Sequence, residues 1–113
     1  VREEEFTPST FNDPKLTATA VDYIQQAIGK ENVHAIPAVM GGEDFGRFGN
    51  VTPKIPSFIF WLGAVDPTVY ADAKKEGKSL PSLHSPFFAP LPKPTIATGI
   101  TSMSNIAIHL LQE

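Results

Sequence analysis

Cysteine is absent from the 113 residues, which removes disulfides, thiolate metal sites and cysteine nucleophiles together. A metal site in this chain must therefore be assembled from histidine and carboxylate, and only three histidines are present. A strong charge of one sign is missing too. Nine basic and twelve acidic residues are scattered along the chain to a net charge of -3, so there is no basic stripe of the kind a phosphate backbone needs, and no nucleic-acid partner is expected. No apolar run approaches the roughly 20 residues of a membrane span, and no leader pattern opens the chain. The expectation is a protein without a membrane partner, located in the cytoplasm. Serine chemistry and nucleotide chemistry are unsupported as well, since neither a Gly-x-Ser-x-Gly elbow nor a Walker or Rossmann glycine loop occurs. Internal repeats and low-complexity tracts are also missing.

What is present suits one globular unit. Apolar residues make up 42% of the chain and the mean hydropathy is -0.05, too apolar for a disordered segment, and the length allows one domain with a modest core. Because the chain opens at Val1 rather than Met, it reads as a processed or excised piece.

Residues 1–11 read as an extended entry segment, with Glu3-Glu4-Glu5 as a solvated acidic run. Asn12-Asp13-Pro14 then offers a cap followed by proline at the first helical position. Leu16, Ala20, Tyr23, Ile24, Ala27 and Ile28 recur at helical spacing, and Gly29 is placed to end the element in a left-handed turn, which predicts a helix over 14–28. Asn32 to Met40 reads as a strand that Pro37 restricts to an edge or a bend. Residues 41–50 predict a sharp turn and a short helix. Pro56 to Gly63, a run of β-favouring residues between proline and glycine, predicts a strand buried on both faces, with Phe58, Phe60 and Trp61 in the core. Residues 64–82 read as surface, with a short capped helix available at 66–74. Four prolines (Pro86, Pro90, Pro92, Pro94) then fix a loop path. From Pro94 to Gln112 a helix is expected to bury Ile96, Ile100, Met103, Ala107 and Leu110, widened by Ile106 and Leu111.

This order implies an α/β fold in which helices cover a sheet of mostly buried strands. Two or three strands make an incomplete sheet, so further strands from elsewhere or an oligomer are expected to complete it.

Two motifs carry chemistry. Met40-Gly41-Gly42-Glu43-Asp44-Phe45 sets an acidic pair and an aromatic after a glycine turn, and Leu83-His84-Ser85-Pro86-Phe87-Phe88 holds a histidine beside a proline. Imidazole is a good ligand for borderline divalent metals, and a proline-flanked loop can hold its ring in place. The alternative for His84 is an ordinary surface histidine bonded to water. Glu43 and Asp44 could serve as an acid–base pair. The plainer reading has Asp44 capping the short helix and Glu43 solvated. No HxxH, HxH or HExxH spacing pairs His34 or His109 with a neighbour. His34 reads as a strand residue, and His109 as a cation at a helix C-terminus. Phe87 and Phe88 could line an apolar pocket or fill a gap under the proline loop.

Taken in order, with the expected strand ending at Leu62-Gly63 between them, these motifs resemble the C-terminal end of the metal-dependent N-acyl-amino-acid amidohydrolases. That family includes hippurate hydrolase, aminoacylase and the auxin-conjugate hydrolases of the dinuclear metallopeptidase superfamily. Phe11-Asn12-Asp13-Pro14-Lys15-Leu16 is similar to that family's segment leaving the lid domain, so the resemblance covers nearly the whole chain. It implies a partial three-layer, zinc-peptidase-like catalytic domain, with 1–11 as the exit segment from a lid and 12–113 as the C-terminal part of the catalytic domain.

By that resemblance His84 matches the family's C-terminal metal ligand. Gly41, Gly42, Glu43, Asp44 and Phe45 match a wall of the substrate pocket, where the glycines allow close backbone approach. The family's catalytic base resembles a glutamate in a Glu-Glu pair that has no counterpart in a matching context here, so no catalytic residue is assigned to this chain. The implied cofactor is a divalent metal, Zn or Mn, two ions in the intact enzyme, which polarise the scissile carbonyl and acidify a bridging water. The implied partners are an N-acyl amino acid or small peptide as substrate, the remainder of the chain's own catalytic and lid domains, and further copies in a homo-oligomer. Alone, the 113 residues are expected to be inactive. Two other readings are a free-standing α/β interaction module, in which His84 is incidental, and a segment of a related dipeptidase or carboxypeptidase.

Overall fold

The computed structural model describes residues 6–112; the expected acidic run Glu3-Glu4-Glu5 lies outside them. Three helices organise the described residues: α1 (Pro14–Ile28), α2 (Pro67–Glu76) and α3 (Pro92–Leu110), with short 3-10 segments at Lys30–Asn32 and Phe45–Asn50. Each of the first two helices starts as its sequence dictates. Asp13 accepts the Leu16 N–H at the head of α1, and Asp66 accepts the Thr68 and Val69 N–H groups at the head of α2, with proline at the first helical position of both. α2 ends on Gly77 in the left-handed conformation, the usual helix stop. Gly29 ends α1 with a positive φ of 89° but an extended ψ of 141°, so the chain leaves in an extended direction instead of the expected left-handed turn.

The α/β expectation is overturned. Among the described residues there is no β-strand, and the regular structure is helical. Of the two runs read as strands, 32–40 and 56–63, only Asn32, the last residue of the first 3-10 segment, lies in regular structure. The physical reason is the partner each would need. A strand is stabilised by a ladder, and two lone strands in water are marginal. One edge of the second run is already occupied by other groups: Asp13 N–H donates to Ser57 O at 2.8 Å, Ile59 N–H donates to Asn12 Oδ1 at 2.9 Å, and Asn12 Nδ2 donates to Ile59 O at 2.8 Å. The Asn12 amide thus stands in for one residue of a neighbouring strand. The expectation that both faces of 56–63 are buried also fails, because Trp61 is 59% exposed and Ile59 37%. Phe58 and Phe60 do stack on each other, 5.7 Å between ring centroids.

The chain divides into two compact units. The first comprises the residues up to Phe60 and those from Ser102 onward, the second Trp61–Thr101. In the first unit, Ala20 and Ile24 of α1 are the buried apolar side chains, both on the predicted stripe. Its elements close up where two glycines leave room. A Cβ on Gly46 would lie 2.8 Å from Ser9 O, and one on Gly49 would lie 2.9 Å from Ser57 Oγ. Tyr23 stacks on His109, centroids 4.3 Å apart.

In the second unit, the stretch before α2 is bonded to the start of α3 and the residue preceding it. Leu91 N–H donates to Ala64 O at 2.7 Å and Thr95 Oγ1 reaches Gly63 O. Among its residues none is buried.

α3 also departs from its pattern. Ser102 is buried, whereas Ile96, Ile100 and Met103 of the predicted core stripe are about 60% exposed. Ser102 and the half-buried Thr95, Thr98 and Asn105 form a small polar face at helical spacing, while Ile106 and Leu110 of the predicted apolar stripe are half-buried as well.

Candidate functional site

His84 sits at the centre of two consecutive turns. Ser85 N–H donates to Ser82 O at 2.9 Å, and Phe88 N–H donates to Ser85 O at 3.1 Å, with Pro86 at the second position of the latter turn. Proline's fixed φ suits that position. The Ser85 hydroxyl accepts the Phe87 N–H, so Ser85 anchors both turns. The sequence His-Ser-Pro thereby fixes the backbone that carries the imidazole. The side chain itself is solvent-exposed, and no described group bonds it. Phe87, beside it, is 80% exposed and Phe88 half-buried, so Phe87 neither fills a gap nor walls a closed pocket.

The glycine turn belongs to the other unit. Gly41 and Gly42 are exposed, and a Cβ on either would meet nothing within 4 Å. The close backbone approach expected of them is therefore not used by any described residue. The acids divide their work contrary to expectation: Glu43 Oε1 accepts the Phe45 N–H at 3.0 Å, while Asp44 heads the 3-10 segment without a side-chain cap bond. Phe45 packs against Phe48, centroids 5.6 Å apart, and Arg47 Nη2 donates to Phe6 O at 2.7 Å. The turn is thereby attached to the entry segment.

The remaining histidines behave differently. His34 is exposed in the run after α1, outside regular structure and not in the expected strand. His109 lies in the last turn of α3, as the dipole argument places it, but its ring contact with Tyr23 could not be read from spacing, because it joins residues 86 positions apart. Asn12 was also missed as a structural residue.

Among the described residues, no three histidine, aspartate or glutamate side chains converge where they could hold a metal ion. The described residues therefore do not by themselves fit a metal centre, which needs three or four protein donors. No helix of the described residues is long and apolar enough to cross a membrane.

The sequence model of Peptidase family M20/M25/M40 matches residues 1–84, close to three quarters of the 113 residues. The chain belongs to this family. No solved structure matches it. Membership of peptidase family M20/M25/M40 makes the chain part of a group of hydrolases that depend in general on divalent metals and act on peptide-like substrates. This sets aside the reading as a non-catalytic interaction module. The match covers the Gly41–Phe45 turn and extends as far as His84, the two features singled out for chemistry.

Proposed function

We propose that the chain is the C-terminal segment of a metal-dependent amidohydrolase that cleaves the amide bond of N-acyl amino acids, and that it contributes His84 as one metal ligand and Gly41 to Phe45 as a wall of the substrate pocket. The observation that carries the reading is the membership of peptidase family M20/M25/M40, through a match that includes the Gly41–Phe45 turn and ends at His84. The choice of N-acyl amino acids within that family rests on the resemblance of Gly42-Glu43-Asp44-Phe45 and His84-Ser85-Pro86 to the amidohydrolase branch. Other branches more often carry threonine before the aspartate.

The geometry supports a ligand role for His84 in two ways. Its imidazole is exposed and bonded to no described residue, and its backbone is set by consecutive turns, which lowers the entropy of holding the ring in one place. Because no metal-binding group of three side chains forms among the described residues, the reading takes the remaining ligands and the base of the Zn or Mn site from outside them. In the same reading residues 1–11 lead out of a lid domain and 12–113 complete the catalytic domain.

Two measurements test this. The 113-residue chain, supplied with Zn or Mn, is expected to turn over no N-acetyl amino acid, and turnover would overturn the assignment. In the enzyme encoded by the whole reading frame, His84→Ala should lower turnover by more than the ~10–100-fold that loss of a group behind a metal ligand costs. An unchanged rate there would remove His84 from the site.

A further inference from the structure

One concavity lies wholly within the first unit and includes none of the residues assigned above to metal or substrate. It is a cavity of about 420 Å³ between the entry segment, the 3-10 segment and the stretch before Phe58. That is within the range of small-molecule sites. Three of its walls are held by specific contacts. Gly46 and Gly49, both lining it, stand where a Cβ would collide with Ser9 O and Ser57 Oγ, and Asp13 N–H donates to Ser57 O across it.

Its polar groups are unequally committed. Asp13 caps α1, so its charge faces the positive end of that helix. The Ser57 hydroxyl donates to Ile55 O. Lys54 is exposed and forms no ion pair with a described residue, and the Asn50 amide is likewise without a bond. Opposite in chemistry are Phe11, 70% exposed, Ile55, 56% exposed, and Pro56. Among the described residues the cavity therefore offers an ammonium and an amide without a partner, and an apolar wall.

We propose that this cavity binds a small carboxylate with an apolar body, the carboxylate meeting Lys54 and Asn50 and the body lying against Phe11, Ile55 and Pro56. The argument is charge complementarity: the Asp13 carboxylate, which also lines the cavity, is committed to the head of α1, so among the described lining residues the charge left to meet a ligand is that of Lys54. N-acyl amino acids and the free acyl acids released from them belong to this chemical class, but the inference depends only on the cavity.

The test is an amide-resolved NMR titration of the 113-residue chain with benzoate and with benzamide, which has the same ring and no charge. Saturable shifts confined to residues 9–13 and 46–57 are expected with benzoate. Lys54→Met should weaken benzoate about tenfold, the value of one charge-assisted hydrogen bond, while leaving benzamide unchanged, and Lys54→Arg should retain benzoate binding. Lys54 is exposed, so the fold should tolerate both changes. Absence of saturable shifts, equal affinity for the two compounds, or indifference of benzoate to Lys54→Met would each overturn the proposal.

Discussion

At the scale of single residues, the sequence elements that proved most legible are those whose chemistry acts over three or four positions. Asp13 is the clearest case. Its carboxylate accepts the Leu16 N–H at 2.9 Å, one of the four donors that every helix start leaves unsatisfied. Asparagine caps nearly as well as aspartate, whereas alanine cannot accept the bond, a difference of about 1 kcal/mol. We therefore expect Asp13→Ala to accelerate hydrogen exchange of the Leu16 amide about fivefold and Asp13→Asn to change it little. Equal acceleration in both variants would mean that charge, not the hydrogen bond, holds the helix start. Asn12, one residue earlier, shows the opposite side of legibility. Its partner, Ile59, lies 47 positions away, and nothing local in Phe-Asn-Asp-Pro distinguishes a side chain that caps from one that clasps a distant backbone. His84 falls between these cases: the turns that carry it are local and follow from Ser85 and Pro86, but whether other donors face it is a long-range matter.

At the scale of elements, the helices were readable and the strands were not, for one physical reason. A helix closes its hydrogen bonds within its own segment, so caps and periodicity nearly determine it. A strand closes them on another segment, and the runs 32–40 and 56–63 find no ladder among the described residues. α3 adds a subtler lesson, because its extent was legible while its packed face was not. Periodicity identifies an apolar stripe but cannot supply the surface that covers it. In this chain Ile96, Ile100 and Met103 face outward, and Ser102 is 1% exposed. The inversion has a measurable consequence. Ser102→Leu, forcing two extra heavy atoms into a filled position, should destabilise the chain by about 1–3 kcal/mol. Ile100→Ser, at a position 62% exposed, should stay within about 0.5 kcal/mol. Urea midpoints of the two variants decide the matter, and the reverse ranking would show that the Ile100 face is the packed one.

At the scale of the whole molecule, burial is uneven. Ala20, Ile24 and Ser102 anchor the first unit. Trp61–Thr101 contains no buried residue, and a segment of about 40 residues without a core of its own lies below the size at which apolar burial alone supports a fold. Opening energies within one protein range from near zero to the global value and follow local burial. Amides of α1 should therefore be the best protected against hydrogen exchange. Those of α2 should exchange with little protection beyond that of an isolated helix, since ten residues are too few to hold a helix in water without packing. Protection of α2 equal to that of α1 would contradict this and require a covering surface for Val69 and Tyr70, which are 52% and 55% exposed. The same unevenness bears on His84, which lies in the unburied unit. Its turns fix the loop locally, but nothing buried holds that loop against the rest of the unit. The proposed ligand role therefore requires the groups that complete the metal site to supply the rigidity as well as the remaining donors.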